Sequence, residues 1–348
     1  MADKQKIIMA MSGGVDSSAA AAMLKNIGFD IIGVTLMLKG ETDEISRLAI
    51  ADTVEKLGIE HHYIDCRKEF FERVIHPSAL EYSCGRTPNP CCLCNRVMKF
   101  AALFDFADRL GVERVATGHY AKLIKQNNRI FLARGTDAAK DQSYFLYRLP
   151  DFMLQRVMFP LAELTKSDIR AAAKEAQLKV FDRPDSQDVC FAVENECCGE
   201  TLRRLADIEI KTGNFLWQNK KVGEHKGIHL YTVGQRKGLG VALGTPAYIS
   251  SIAPYSADII LTTNESELIT NSFAVKDHVW NCERSPEDIE NLTVKIRYRT
   301  RDAACRVEKN GDRWLVSAKE GTVFRAVTPG QSAVFYSGEL LLGGGIIC

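Results

Sequence analysis

Ser12-Gly13-Gly14-Val15-Asp16-Ser17-Ser18 is the stretch on which the reading of this chain turns. The mostly apolar run Lys6-Ile7-Ile8-Met9-Ala10-Met11 precedes it. Ala19-Ala20-Ala21-Ala22-Met23-Leu24-Lys25 follows, strong helix formers throughout. Strand, small-residue turn and helix in that order aim backbone N–H groups and a helix N-terminus at an anion. The glycines permit close backbone approach and positive φ. Ser17 and Ser18 add hydroxyl donors, and Asp16 points to a Mg²⁺ that bridges it to phosphate. A Walker A loop needs a lysine directly after its second glycine. Here none follows until Lys25. The loop therefore suits pyrophosphate held in place rather than a γ-phosphate being hydrolysed.

The SGGVDS pattern resembles the PP-loop of ATP pyrophosphatases, which cut ATP between the α- and β-phosphates and adenylate a carbonyl oxygen. Outward from the loop, strands and helices alternate. Residues 29–38 read as a second strand, 45–57 as a helix ended by Gly58, 62–66 as a third strand and 112–119 as a fourth that runs into Gly118-His119. That alternation implies a doubly wound parallel sheet with helices on both faces. Ligands in such sheets sit at the carboxyl ends of the strands, where the loop, Met37 and Gly118 all fall.

Composition sets the bounds. The 348 residues suffice for two or three domains, and an apolar share of 46% suits a globular core. Lys+Arg 45 against Asp+Glu 44 leaves a net charge of +1, so any nucleic-acid site must be a local patch. No apolar run has membrane-spanning length, and the run after the charged N-terminus is too short for a signal peptide. These features predict a cytoplasmic protein. Its eleven cysteines then read as reduced thiols with chemical roles rather than as a disulfide framework.

The cysteines concentrate on two polar loops. Gly85-Arg-Thr-Pro-Asn-Pro-Cys-Cys-Leu-Cys-Asn-Arg96 reads as a stiff loop before a helix over 97–110. Asp182-Arg-Pro-Asp-Ser-Gln-Asp-Val-Cys190-Phe191 is the second, with Cys197-Cys198 close behind. Cys91-x-x-Cys94 with Cys190 admits four readings: a zinc site, an iron–sulfur cluster with one open iron, inert buried thiols, or a thiol pair that moves sulfur by persulfide chemistry. Zinc is disfavoured because no second C-x-x-C follows. Beside an adenylating site, sulfur transfer makes chemical sense, because an adenylated carbonyl oxygen leaves as AMP. Lys140-Asp141-Gln142 opens an aromatic run and fits either a core helix with a polar start or a substrate clamp. Residues 164–178 read as a helix with Thr165 as N-cap.

From about Gly199 the texture changes. A helix over 201–210 gives way to glycine-punctuated short strands, and from about Asn264 strands alternate with turns, including 294–299, 304–307, 313–317 and 332–336. This predicts a small central domain and a C-terminal β-barrel, with boundaries at 1–199, 200–263 and 264–348. Arg236, Lys237, Arg297, Arg299 and Arg301 supply a basic surface suited to RNA or a solvated strand face.

Longer segments are more specific still. GRTPNPCCLCN (85–95), ATGHYA (116–121), KDQSYFL (140–146), DSQDVCF (185–191), HKGIHLYTVGQRKGLG (225–240), KIRYR (295–299) and TPGQSAVFY (328–336) resemble the tRNA-specific 2-thiouridylases, the MnmA family. The resemblance implies that sulfur replaces the O2 oxygen of uridine 34 in tRNA, with ATP consumed at the loop and Mg²⁺ as its cofactor. It implies that Ala10, Met11, Ser12, Gly13, Gly14, Val15, Asp16, Ser17, Met37 and Gly118 hold ATP. It places Asn89, Pro90 and Cys91 at the target base, and His119, Lys140, Asp141, Gln142, Arg297, Tyr298 and Gln331 on tRNA. Cys94 becomes the nucleophile and Cys190 the persulfide carrier, with a Cys94–Cys190 disulfide in the resting or spent enzyme. The implied partners are the tRNA anticodon loop and a persulfide donor such as a cysteine desulfurase or relay protein. Many members of the family have Asp where this chain has Cys91, which keeps an iron–sulfur cluster on Cys91, Cys94 and Cys190 as an alternative; another PP-loop ligase, which would share the SGGVDS loop, is a further one.

Overall fold

A computed structural model describes residues 4–40, 44–182, 189–193 and 195–348. Residues 185–188 of the DSQDVCF segment and most of the polar break at 41–44 lie outside them. The chain divides into two compact units, one of Met1–Phe70, Cys91–Asp188 and Glu339–Leu341, the other of Phe71–Pro90, Val189–Gly338 and Leu342–Cys348.

The first unit holds the strands β1 (Lys6–Ala10), β2 (Asp30–Met37), β3 (Glu60–Asp65) and β4 (Arg114–Ala116), a hairpin of β5 (Ala121–Gln126) and β6 (Arg129–Arg134), and β7 (Val157–Met158). Five of them form one sheet in the order β3-β2-β1-β4-β7, with every neighbouring pair parallel. Parallel neighbours require crossovers, which α1 (Val15–Asn26) and α2 (Glu44–Leu57) provide on the β2–β3 side. The order reverses between β1 and β4, so the crevice at the end of β1 is the switch point where such sheets bind ligands.

Burial explains why β1 is central. Ile7, Ile8 and Met9 are fully buried, each worth about 1.5–3 kcal/mol relative to exposure. Helix α1 is buried nearly all round, through Ala19, Ala20, Ala21, Ala22 and Leu24. Its small side chains let it lie between the sheet and the helix Lys166–Glu175, whose Ile169 and Ala173 share the same core.

In the second unit, β8 (Gly213–Trp217), β9 (Lys220–His225), β10 (Tyr248–Ile252) and β11 (Ile259–Thr262) form a sheet of order β10-β11-β8-β9. Its core gathers Phe215, Tyr231, Ile249 and Ile259. The short strands β12 (Ile269–Thr270) and β17 (Phe324–Arg325) pair with each other. Six longer strands, β13 (Ser272–Trp280), β14 (Leu292–Lys295), β15 (Ala303–Asn310), β16 (Arg313–Ala318), β18 (Ser332–Ser337) and β19 (Leu340–Ile347), run in the order β13-β16-β15-β14-β18-β19. Pairing of β13 with β19 closes them into a barrel and removes the free edges. The α/β domain, small central domain and C-terminal barrel read from the sequence are therefore the observed architecture.

Three local readings change. The helix read as 97–110 begins at Pro90 and continues through a π turn at Asn95–Lys99 into Phe100–Arg109, so Cys91, Cys92 and Cys94 lie in its opening turns and not in a loop. Proline has its φ preset for the first helical position, so Pro90 starts this helix rather than stiffening a loop. The hairpin β5–β6 turns on Asn127 and Asn128, both at positive φ, a signal absent from the sequence reading. The strand read over 294–299 ends at Lys295, which leaves Arg297 and Tyr298 beyond its end.

Candidate active site

The loop between β1 and α1 is fixed from both ends. Met11 donates its N–H to the Val34 carbonyl at 2.8 Å and accepts at its own carbonyl from Thr35 Oγ1 at 2.7 Å. Ser17 Oγ accepts from the Ser12 N–H at 3.2 Å and donates to the Gly14 carbonyl at 3.1 Å. Gly13 has φ +76°, and a Cβ there would come within 2.8 Å of the Ser46 carbonyl oxygen. Gly118, at the end of β4, packs so closely on the start of α1 that a Cβ would lie 3.0 Å from the Ser17 nitrogen. Ala10, Met11, Ser12, Gly13, Gly14, Val15, Asp16, Ser17, Met37 and Gly118 thus all belong to the carboxyl ends of β1, β2 and β4 or to α1's first turn. The first N–H groups of a helix have no intrahelical acceptor, so the loop and α1 form a cradle suited to phosphate.

Asp16 carries two partners that sequence reasoning missed. Its Oδ1 accepts from Tyr120 Oη at 2.6 Å and from Lys166 Nζ at 2.6 Å. Its Oδ2 accepts no hydrogen bond from the described residues, and as a hard carboxylate oxygen it fits Mg²⁺. Lys166 is the first residue of the helix whose N-cap is Thr165, as read from the sequence, with Asp168 completing a capping box. A lysine at the positive end of a helix dipole is misplaced electrostatically, and that was the available signal.

The thiols of the helix opening at Pro90 lie at the same end of the sheet. Cys94 is buried, Cys91 half-buried, and Cys92 is buried with its Sγ donating to the Tyr144 carbonyl at 3.7 Å. Asn95 Nδ2 donates to the Phe145 carbonyl at 3.0 Å and ties the same helix to the segment after Lys140-Asp141-Gln142. Cys94 neighbours Cys66, a residue the sequence reading left without a role. Burial first, then Glu69, Asp65 and Cys94, push the Cys66 thiol up to about 11, so it stays protonated. The Cys66 N–H in turn donates to the Met37 carbonyl at 3.0 Å. Cys66 thus hydrogen-bonds the carboxyl end of β2 and lies within electrostatic reach of Cys94.

His119 stacks on Phe100 at 5.8 Å, and its Nδ1 sits 2.7 Å from Thr117 Oγ1. Burial, and secondarily the Lys99 ammonium, hold its pKa well below the usual histidine value, so it is neutral at physiological pH. Asp141 is buried. Its carboxylate accepts from the N–H groups of Gly135 and Ser143, both at 3.1 Å, and from Ser143 Oγ at 3.0 Å. Gln142 Oε1 accepts from the Tyr120 N–H at 3.1 Å. Asp141 and Gln142 shape this turn, and Lys140 is its partly exposed member.

In the second unit, Gln331 Nε2 donates to the carbonyls of Thr87 at 2.7 Å and Pro88 at 3.4 Å, immediately before Asn89 and the buried Pro90. The Thr87 N–H donates to the Pro329 carbonyl at 2.9 Å, and its Oγ1 lies 3.1 Å from that of Thr232. Arg297 donates from one guanidinium nitrogen to the Val233 carbonyl at 2.8 Å, to the Ala326 carbonyl at 3.1 Å and to Thr328 Oγ1. Lys295 Nζ lies 5.8 Å from the centre of the Tyr298 ring. Cys190 is exposed, and both Cys94 and Cys190 carry thiols rather than a disulfide here. Cys94 belongs to the first unit and Cys190 to the second. Among the described residues no group of three or more His, Cys, Asp or Glu side chains is arranged to hold a metal ion.

Family models match the chain in succession: the tRNA methyl transferase HUP domain over residues 5–194, the tRNA methyl transferase PRC-barrel domain over 206–263 and the aminomethyltransferase beta-barrel domain over 270–347. A tRNA-specific 2-thiouridylase MnmA of Clostridium tetani (strain Massachusetts / E88) is 39% identical across 99% of this chain and 99% of its own length. Another, of Clostridium botulinum (strain Loch Maree / Type A3), is also 39% identical with 99% of each chain covered. A solved 4-thiouridine synthetase–RNA complex with bound ATP is 20% identical, with a TM-score of 0.40, covering 58% of this chain and 50% of that one.

Proposed function

This chain belongs to the MnmA family of tRNA-specific 2-thiouridylases, and from that membership we propose that it is the sulfurtransferase that replaces O2 of uridine 34 in tRNA with sulfur, using ATP. The single observation that carries the reading is the place of Cys66, whose N–H donates to the Met37 carbonyl at the carboxyl end of β2 and whose thiol feels that of Cys94 electrostatically. Full-length similarity to named 2-thiouridylases supports the substrate. The proposed domain bounds are 1–199 for adenylation and thiolation, 200–263 for the central domain and 264–348 for the barrel, supported by the three matched models.

In the proposed reaction the C2 oxygen of uridine attacks the α-phosphorus of ATP. The bond from that phosphorus to the bridging oxygen breaks, pyrophosphate departs with the electron pair, and N3 gives up its proton to solvent. Ala10–Ser17, Met37 and Gly118 hold the nucleotide. Mg²⁺, held by Asp16, supplies charge neutralisation to the phosphates when bound. The outer sulfur of a Cys190 persulfide then attacks C2 and AMP leaves. Cys94 thiolate attacks the Cys190 sulfur, so the S–S bond breaks, sulfur stays on C2 and a Cys94–Cys190 disulfide forms. An external dithiol reduces that disulfide, and a persulfide donor such as a cysteine desulfurase or relay protein recharges Cys190.

Asn89, Pro90 and Cys91 face the splayed base in this reading, which anticodon loops present at low cost. His119, neutral, serves as a hydrogen-bond partner rather than as a phosphate cation. Lys140, Arg297, Tyr298 and Gln331 contact tRNA, with Asp141 and Gln142 setting the turn that presents Lys140. The cytoplasm is the expected compartment, and no described helix is long and apolar enough to cross a membrane. The second reading is a cluster on Cys91, Cys94 and Cys190; among the described residues no group of three or more His, Cys, Asp or Glu side chains is gathered to hold a metal ion.

Nucleoside mass spectrometry of unmodified tRNA after incubation with the protein, ATP, Mg²⁺, cysteine and a cysteine desulfurase tests the proposal. The expected product is 2-thiouridine. AMP formed on a small substrate without tRNA would point instead to another PP-loop ligase.

A further inference from the structure

The sequence of the loop lacks a lysine, yet the folded loop has one. Lys166 Nζ lies 2.6 Å from Asp16 Oδ1 and 6.0 Å from the centre of the Tyr120 ring, and its side chain is 13% exposed. Three costs attend that placement. The ammonium is largely removed from water. It sits at the N-terminal end of its own helix, where the dipole opposes it. A long side chain is also immobilised. The Asp16 ion pair offsets these costs, but an alanine at 166 would avoid them without losing the Thr165–Asp168 cap.

From this geometry we infer that Lys166 is the phosphate-binding cation of the nucleotide site. It rests on the ATP-binding reading above. Among the described residues of the β1–α1 loop and the first turn of α1 the donors are neutral N–H and hydroxyl groups, while a triphosphate brings several negative charges beside the carboxylate of Asp16. Lys166 stands at that carboxylate in the resting chain and turns to the phosphate oxygens when ATP enters. In the adenylation step the bridging oxygen leaves the α-phosphorus with the electron pair. The ammonium stabilises the charge that gathers on the departing pyrophosphate, and no proton need be transferred. The role separates nucleotides: Lys166 distinguishes ATP and pyrophosphate from AMP, which lacks the β- and γ-phosphates.

Equilibrium titration of the full chain with ATP, AMP and inorganic pyrophosphate tests this. Lys166→Met is expected to weaken ATP and pyrophosphate about ten- to a hundredfold, the worth of a charge-assisted hydrogen bond, and AMP by no more than about threefold. Lys166→Arg, which keeps the charge, should recover most of the loss. Equal weakening of ATP and AMP, or none, would overturn the inference. A second measurement uses the wild-type chain alone. ATP and pyrophosphate, but not AMP, should protect Lys166 from an amine-acylating reagent read by peptide mass spectrometry, and equal labelling in all three would also overturn it. Failure of the wild-type chain to bind ATP would overturn the ATP-binding reading as well, whereas normal ATP binding by Lys166→Met overturns only the role of this lysine.

Discussion

The side-chain amide of Gln331 donates to the backbone carbonyl of Thr87 at 2.7 Å, across 244 residues of sequence. A turn between β17 and β18 thereby holds the segment that leads into Asn89, Pro90 and the thiol-bearing helix. If Gln331 positions this segment, Gln331→Ala should lower the rate of thiolation in single turnover more than it weakens tRNA binding. It should also cost about 1 kcal/mol of stability. A loss confined to tRNA affinity, read by filter binding, would make Gln331 an RNA contact alone.

Arg297 spends one guanidinium nitrogen on two carbonyls and a hydroxyl, from Val233, Ala326 and Thr328. Removing it takes that donor from the Val233 carbonyl and the Thr328 hydroxyl, while the Ala326 carbonyl keeps the Thr328 Oγ1 at 2.9 Å. Arg297→Ala should therefore destabilise the chain by about 2–3 kcal/mol in urea unfolding. Arg297→Lys should recover only part, because an ammonium cannot reproduce the planar donor geometry. If the remaining donors also meet tRNA, the slope of log affinity against log salt falls by about one phosphate's worth. An unchanged slope would confine Arg297 to a structural role.

Gly118 leaves little room for a side chain. The nearest atoms to an added Cβ are backbone atoms of α1, Ser17 N at 3.0 Å and Asp16 C at 3.1 Å, which cannot rotate away. Gly118→Ala should push β4's end and α1 apart, cost about 1–3 kcal/mol, and weaken ATP at least about tenfold. Equilibrium titration with ATP, together with an unfolding curve, separates this from a general loss of fold.

Acid should destabilise the protein in two stages. His61 is lowered to about 4 by burial and by His62, and burial also lowers His119, His225 and His229. The unfolded chain then binds protons that the folded one does not, so stability is full above about pH 6.5 and falls as pH drops toward 4. Glu200 is held at about 2, chiefly by its hydrogen bonds with Arg203 and further by His229. Its contribution is present above about pH 4.5 and is lost only as pH falls through 2. Urea unfolding at about pH 7.5, 5.5 and 4 should show a monotonic decline, and a rise between the first two would contradict the histidine assignments.

Much of this was legible beforehand, for physical reasons that can be named. The β1 strand, the glycine loop and the Ala-rich α1 each carry local signals, and together they specify a parallel sheet with its ligand site at the strand ends. The C-terminal barrel was legible from alternation at 304–307, 313–317 and 332–336. What was not legible depends on tertiary contact. Lys166 carries one local signal, a cation at the N-terminal end of its helix, but its partner Asp16 comes only with the fold. Gln331 and Arg297 read as tRNA contacts, and only the fold shows that they also hold backbone carbonyls distant in sequence. Pro90 is ambiguous in sequence because proline serves equally as a loop stiffener and as a first helical residue. Asp141 and Gln142 looked like one unit with Lys140, but their side chains cap and brace backbone.

The thiols give the sharpest separation of roles. Adenylation precedes sulfur transfer, so neither thiol is needed to form AMP-activated uridine. Cys94→Ser and Cys190→Ser should each abolish 2-thiouridine, while pyrophosphate release in a single turnover with tRNA persists. Cys92, buried with its Sγ on the Tyr144 carbonyl, lies between Cys91 and Cys94 in sequence but serves packing. Cys92→Ser should keep the chemistry and lose about 1–2 kcal/mol of stability from placing a hydroxyl in that site. Cys66, protonated with a pKa near 11, should likewise be dispensable as a nucleophile. Thiolation assays on these three variants and on Cys66→Ser, with iron measured in each sample, decide between persulfide and cluster. Full activity of iron-free protein with a persulfide donor fits the persulfide route. Activity that tracks iron content, or survives loss of Cys190, would assign the sulfur a different carrier.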